Sequence, residues 1–195
     1  MPPSIRPSGR SPEVWWRPRR PIDPLGLRYD LTTHMAQRGK LIFFCGKMAA
    51  GKSTLAKQIA QREGAILLVQ DELLAALFPG EIADIPGYVQ RARRLNDALH
   101  GHVCSLLSKG LSVVLDFPGN TRAQRAWFRT VFEAAGADHE LHFVDVLDDV
   151  CKRQLRARSA GRAAGEPFTS DDEFDAITRY FEPPADDERF TVIRR

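Results

Sequence analysis

Gly46-Lys47-Met48-Ala49-Ala50-Gly51-Lys52-Ser53-Thr54 decides the fold of this 195-residue chain. The spacing is G-x-x-x-x-G-K-[ST], a phosphate-binding P-loop, and each fixed position has a physical task. The glycines let the backbone turn tightly and bring its N–H groups up to phosphate oxygens. The lysine reaches the outer phosphates, and the hydroxyl after it, on Ser53, is placed to hold a magnesium ion. Just upstream, Lys40 to Cys45 is an apolar run bounded by a charge and a glycine, the pattern of a strand buried on both faces. Downstream, Ser53 to Arg62 carries Leu55, Ile59 and Ala60 on one helical face, and Gly64 stops it. Strand, glycine-rich turn and helix follow in the order the loop requires. Phosphate would then sit at a helix N-terminus, where unpaired N–H groups and the helix dipole favour anions.

Working outward, strands and helices alternate. Ala65 to Gln70 predicts a second buried strand followed at once by Asp71 and Glu72, and Leu73 to Phe78 a short helix ended by Pro79-Gly80. A helix from about Tyr88 to Lys109 carries Val89, Ala92, Leu95, Leu99, Val103 and Leu106 at helical spacing. Leu111 to Leu115 is a third strand ending in Asp116, Thr121 to Ala135 a helix, and Leu141 to Val146 a fourth strand. A basic helix spans Asp148 to about Arg158, and Ser159 to Pro167 is a Gly/Ala/Arg-rich loop. Ser170-Asp171-Asp172-Glu173 is a capping box opening a helix to about Phe181, and Phe190 to Ile193 is a last strand. This alternation predicts an α/β fold with a parallel sheet covered on both faces.

The chain carries 28 Lys and Arg against 25 Asp and Glu, a net charge of +3. Residues 1–34 hold six arginines against three acidic residues, so the whole excess lies there and the rest is neutral. A neutral domain offers no electrostatic case for nucleic acid. The first 37 residues, rich in proline and arginine, predict a disordered basic extension, with residues 38–195 as one folded domain. No apolar run approaches the length of a membrane span, and there is no secretory signal. Cys45, Cys104 and Cys151 are odd in number and without C-x-x-C spacing, which fits reduced thiols in a cytoplasmic protein. His100 and His102 point to different faces of their helix and make poor metal ligands.

Ligands of open parallel sheets bind beyond the carboxyl ends of the strands. Asp116 there has the form of a carboxylate that holds magnesium, often through water; the alternative is a cap on the next turn. Asp71 would orient an acceptor hydroxyl and take its proton, or else serve as a helix N-cap. Arg153, Arg156 and Arg158, leading into a loop with Arg162, either supply cations to a transferring phosphoryl group or form a solvated face. Asn120, Arg122 and Arg125 either contact the acceptor or cap and solvate their helix.

These residues resemble small P-loop kinase-like ATP-binding proteins of the AAA type, relatives of zeta toxins, chloramphenicol phosphotransferase and gluconate kinase. The resemblance covers about residues 38–193 and rests on GKMAAGKSTLA, on Asp71, and on GLSVVLDFPGNTRAQR at 110–125; CKRQLRARS at 151–159 and FEPPADDE at 181–188 extend it. It implies a three-layer α/β/α P-loop fold with five parallel strands in the order 2-3-1-4-5. It also implies Mg·ATP as phosphate donor, bound by Gly46 to Thr54, with Lys52 on the phosphates and Ser53 and Asp116 on Mg2+. Asp71 is implied as the acceptor-activating base, with a lid after the fourth strand. Relatives commonly show R-x-x-x-R on the lid helix. Here the register that places the second arginine at Arg158 puts Gln154 at the first, leaving Arg153 as the nearest substitute. The function expected is transfer of the γ-phosphate to a hydroxyl of a small molecule, against a nucleotide-dependent switch or regulatory ATPase with no such acceptor. A GTPase is disfavoured because no N-K-x-D motif appears.

Overall fold

A computed structural model describes residues 38–160 and 170–195; the expected extension at 1–37 and Arg162 in its loop lie outside them. Five strands form one parallel sheet: β1 (Lys40–Cys45), β2 (Ile66–Val69), β3 (Val113–Pro118), β4 (Asp138–Phe143) and β5 (Val192–Arg194). Their order is β2-β3-β1-β4-β5, as the resemblance implied. The helices are α1 (Lys52–Glu63), α2 (Gln70–Leu77), α3 (Ile85–Ser108), α4 (Arg122–Ala135), α5 (Asp148–Ser159) and α6 (Asp171–Thr178).

The central strand explains the three layers. Side chains alternate across a strand, so Leu41, Phe43 and Cys45 pack with Val103, Leu107, Phe128 and Val131 of α3 and α4. Ile42 and Phe44 pack on the opposite face with Ala56, Ile59 and Ala60 of α1. All five of these β1 residues are fully buried, and Phe43 stacks on Phe128 at 4.4 Å between ring centroids. Ala50, Val144, Cys151, Leu155 and Phe174 form a smaller cluster that seats α5 and α6 beside the loop after β1. Among the described residues no helix is long and apolar enough to cross a membrane.

Several boundaries differ from the sequence reading. β4 starts at Asp138 rather than Leu141, because its polar first half pairs with Lys40 to Ile42; it ends at Phe143, opposite the last residue of β1. β3 runs past Asp116 to Pro118, so that aspartate lies inside the strand. The second helix begins at Gln70, immediately after β2, and takes Asp71 into its first turn. β3 lies between β2 and the P-loop strand, as the implied strand order has it. The helix opened by the Ser170–Glu173 capping box ends at Thr178, and α3 starts at Ile85 with the Asp84 side chain accepting from Gly87 N.

Arg125 departs most from its expected role. Neither an acceptor contact nor a solvated cap, it is fully buried. Its Nε and Nη2 donate to the two Glu188 carboxylate oxygens at 2.8 and 2.7 Å, and Nη1 donates to Gly119 O at 3.0 Å and Glu182 O at 2.7 Å. The pair ties the segment before β5 to the exit of β3. Truncating one member of such a pair leaves the other buried and uncompensated. Arg125→Ala should therefore cost about 3–5 kcal/mol of unfolding free energy in a denaturant titration. Arg122→Ala, which removes an exposed bidentate pair with Asp187, should leave the midpoint almost unmoved.

Candidate active site

The P-loop is built by two glycines with different reasons for being glycine. A Cβ on Gly46 would stand 2.6 Å from the carbonyl oxygen of Val144, so the close approach of β4's exit excludes one. Gly51 is the N-cap of α1 with φ 96°, a left-handed conformation that side chains rarely adopt, and space around it is open. It has no side chain to cap with, so the first-turn N–H groups of α1 have no side-chain acceptor. The loop is fixed from outside: Gly46 N donates to Asn120 Oδ1 at 3.0 Å, and the Lys47 ammonium pairs with Asp148 at the start of α5. Asn120, read from sequence as an acceptor or cap residue, is thus a support for the loop. Met48, Ala49 and Ala50 form the turn, with Met48 and Ala49 packed against the Ala50–Phe174 cluster.

Lys52 points back into this loop. Its Nζ donates to Gly46 O at 2.6 Å and Lys47 O at 2.7 Å, two of the three donors an ammonium has. Burial pushes its pKa down to about 8 against the pull of Asp116, and the nearby charge of Arg158 pushes the same way. A half-buried cation held at the mouth of a helix N-terminus is suited to an incoming polyanion.

Asp116 reaches the same place through an irregularity. β1 and β3 pair as Phe43 with Leu115 and then Phe44 with Pro118, so Asp116 and Phe117 are extra residues on β3. A bulge of this kind re-aims a side chain. The Asp116 carboxyl takes a hydrogen bond from the Ser53 side chain; burial raises its pKa, and that bond and the Lys52 charge oppose the rise. Among the described residues no group of three or more His, Cys, Asp or Glu side chains could cage a metal. Magnesium needs no such cage: one carboxylate, a hydroxyl and phosphate oxygens suffice, with waters completing the shell. Ser53 and Asp116 fit that donor set.

Asp71 stands at the second position of α2, whose N-cap is Val69, so it is not the cap. Val69 pairs with Asp116 across β2 and β3, which places Asp71 two residues beyond the level of Asp116. Its charge contributes to the raised pKa of Asp116. Its Oδ1 accepts from Tyr88 Oη at 3.1 Å, and Tyr88 also meets Gln70 Oε1 at 3.0 Å. Neither Tyr88 nor Gln70 stood out in the sequence.

The basic helix divides its arginines. Arg158 is the one whose field reaches Lys52. Arg156 pairs with Asp171 at 2.6 Å and, with the Lys152–Asp175 pair, fastens α5 to α6. Arg153 is exposed and makes no ion pair among the described residues. The cysteines are free, and burial pushes the Cys45 thiol up to about 11, away from reactivity.

Fold and loop together define a P-loop α/β domain of the kinase-like class. A family model described as AAA domain matches residues 41–184, and the chain belongs to that family. Solved structures with similar folds include a candidate kinase from Chloroflexus aurantiacus, with 18% identity, TM-score 0.64 and coverage of 82% of this chain and 86% of that one. A sugar kinase from Janibacter sp. HTCC2649 aligns at 16% identity and TM-score 0.53, covering 80% and 84%. A gluconokinase from Sinorhizobium meliloti 1021 aligns at 15% identity and TM-score 0.50, covering 80% and 82%. A comparison with curated proteins found no match.

The depressed Lys52 pKa has a consequence for the ligand-free protein. Between about pH 8 and 10.5 the unfolded chain binds a proton that the folded chain does not. The Lys52 contribution to stability therefore rises with pH across that window, and its unfavourable effect is fully present below it; the buried Cys45 thiol works the other way from about pH 9 upward. Thermal melts at closely spaced pH values should show the deficit of the wild type relative to Lys52→Met shrinking across the window.

Proposed function

We propose that this domain transfers the γ-phosphate of Mg·ATP to a hydroxyl group of a small molecule. One observation carries the reading: two carboxylates stand at adjacent strand ends with separate partners, Asp116 on the Ser53 hydroxyl and Asp71 on the Tyr88 hydroxyl. NTP hydrolysis by itself asks for a held nucleotide and a positioned water. A second carboxylate, beyond the metal-side one and on a different element, is what an acceptor hydroxyl needs.

In this reading the backbone N–H groups of Gly46 to Thr54 and the Lys52 ammonium hold the phosphates. Ser53 and Asp116 would hold magnesium, which when bound neutralises charge on the phosphate oxygens. Asp71 orients the acceptor hydroxyl and takes its proton as the oxygen attacks. Arg158, and Arg153 if α5 turns toward the loop, would face the charge spread over the transferring phosphoryl oxygens. The kinase names of the structural neighbours agree with this reading; the free thiols support a cytoplasmic setting, and the neutral charge of the domain favours a small acceptor over nucleic acid.

Asp71→Asn keeps the size of the side chain and removes the base. Transfer of label from γ-labelled ATP into a metabolite extract should fall by about 100-fold or more, the usual range for a positioned proton acceptor, with affinity for a non-hydrolysable ATP analogue unchanged. Wild-type rates in this variant would end the base assignment, and label appearing only as inorganic phosphate with the wild type would favour the ATPase switch. Lys52→Ala should lose analogue binding and transfer together. Above pH 8 wild-type binding of the analogue should take up a proton, because the polyanion restores the Lys52 charge. Calorimetry in buffers of different ionisation enthalpy reads that uptake directly.

A further inference from the structure

We propose that Tyr88, Gln70 and Asn96 form a positioning relay that aims the Asp71 carboxylate at the acceptor. This rests on the reading of Asp71 as the acceptor's base. Asp71 is exposed, and it sits on α2, a helix of eight residues, so the backbone fixes its Cα while leaving its carboxylate free to rotate. A base held loosely by an ångström loses much of its effect.

The structure holds it through a chain of polar groups with buried Gln70 at its centre. Gln70 is only 2% exposed, one of three buried polar or charged residues among those described, and nothing in the P-loop chemistry uses it. A buried carboxamide costs stability unless its bonds are made. Its amide meets Asn96 of α3 at 3.0 Å on one side and Tyr88 Oη at 3.0 Å on the other, and Tyr88 Oη meets Asp71 Oδ1 at 3.1 Å.

Proton counting gives the chain a direction. A phenol donates one proton, so Tyr88 cannot serve both the Gln70 oxygen and the Asp71 carboxylate. Turning both carboxamides, whose N and O are interchangeable in shape, supplies one proton to each contact. Asn96 N–H then donates to Gln70, Gln70 N–H to Tyr88, and Tyr88 O–H to Asp71. With the carboxamides the other way round, every bond reverses and the first proton must come from Asp71 itself. The relay thus has one arrangement for the carboxylate and one for the carboxylic acid, the two forms a base passes through. The Tyr88 phenol is raised far above its ordinary value, first by burial and then by the charges of Asp71 and Asp116.

Two measurements test this. The chain has three tyrosines, Tyr29, Tyr88 and Tyr180, so 13Cζ-tyrosine NMR can follow each. Tyr88 should stay in its phenol form above the ordinary tyrosine range of about 10, and Asp71→Asn should bring its titration down; a Tyr88 that ionises in the ordinary range in the wild type overturns the relay. In the label-transfer assay with γ-labelled ATP and a fixed metabolite extract, Tyr88→Phe and Gln70→Ala should each slow transfer about 10- to 100-fold without changing ATP-analogue affinity. Neither should slow an Asp71→Asn protein further, whereas a merely structural role would make the losses add. Loss of transfer in Asp71→Asn with wild-type rates in Tyr88→Phe sinks the relay alone, and wild-type rates in Asp71→Asn sink the base reading beneath it. Should Tyr88→Phe fail to fold, Asn96→Ala one link away must show the same cancellation.

Discussion

A single buried guanidinium organises the end of the sheet where the chemistry would lie. Arg125 uses its planar fork on the Glu188 carboxylate and its remaining donors on the carbonyls of Gly119 and Glu182. Gly119 leads directly into Asn120, whose side chain accepts from the first residue of the P-loop and whose carbonyl accepts from Glu182 N. The loop, the exit of β3 and the segment before β5 are therefore one hydrogen-bonded body. An apolar core in the same place would be at least as stable, since desolvating the pair offsets most of its attraction. What the charged version adds is direction: a fork in a fixed plane accepts only one placement of its partners.

The same end of the sheet gathers a cation and an anion, each half-buried. Lys52 is held by the carbonyls of its own loop, and Asp116 is pushed toward it by two extra residues in β3. Each is costly to bury, and the two costs partly cancel, because Lys52 opposes the raised pKa of Asp116 and Asp116 opposes the lowered pKa of Lys52. The groups are in place before any phosphate arrives, so little rearrangement opposes binding.

The sequence made legible what depends on neighbours in the chain. β1, the P-loop and α1 fall where the motif and the apolar pattern put them, since each is specified by residues within a few positions. The shift of β4 toward Asp138 was hidden because polar residues read as loop until a partner strand is known; Lys40 to Ile42 supply that partner. Asp71 read as an acceptor base or else a helix N-cap, and the cap is excluded because Gln70 had already begun the helix. Arg125 read as an acceptor contact or a solvated cap of its helix, since its partner Glu188 is 63 residues away. Tyr88 carried no signal at all, being one aromatic residue near the start of a long helix. In each case the missing information was a tertiary contact, which no local pattern encodes.

Strand order explains why the end of β2 needs outside support and the ends of β1 and β3 do not. β1 and β3 each have neighbours on both sides, so the P-loop and Asp116 emerge from strands that the sheet itself locates. β2 is an edge strand, paired only with β3 and half-buried along its length. Its end, and the α2 turn that carries Asp71, lie one strand spacing of about 4.8 Å further out, with ladder bonds on one side only. Any group placed there for chemistry must be located by something other than the sheet. Tyr88 and Asn96 come from α3, which packs on the inner face through Val103 and Leu107, and so bring the rigidity of the core to the edge. The hydrogen bonds from α3 do for the end of β2 what a further strand would have done, while leaving Asp71 exposed on its outer side.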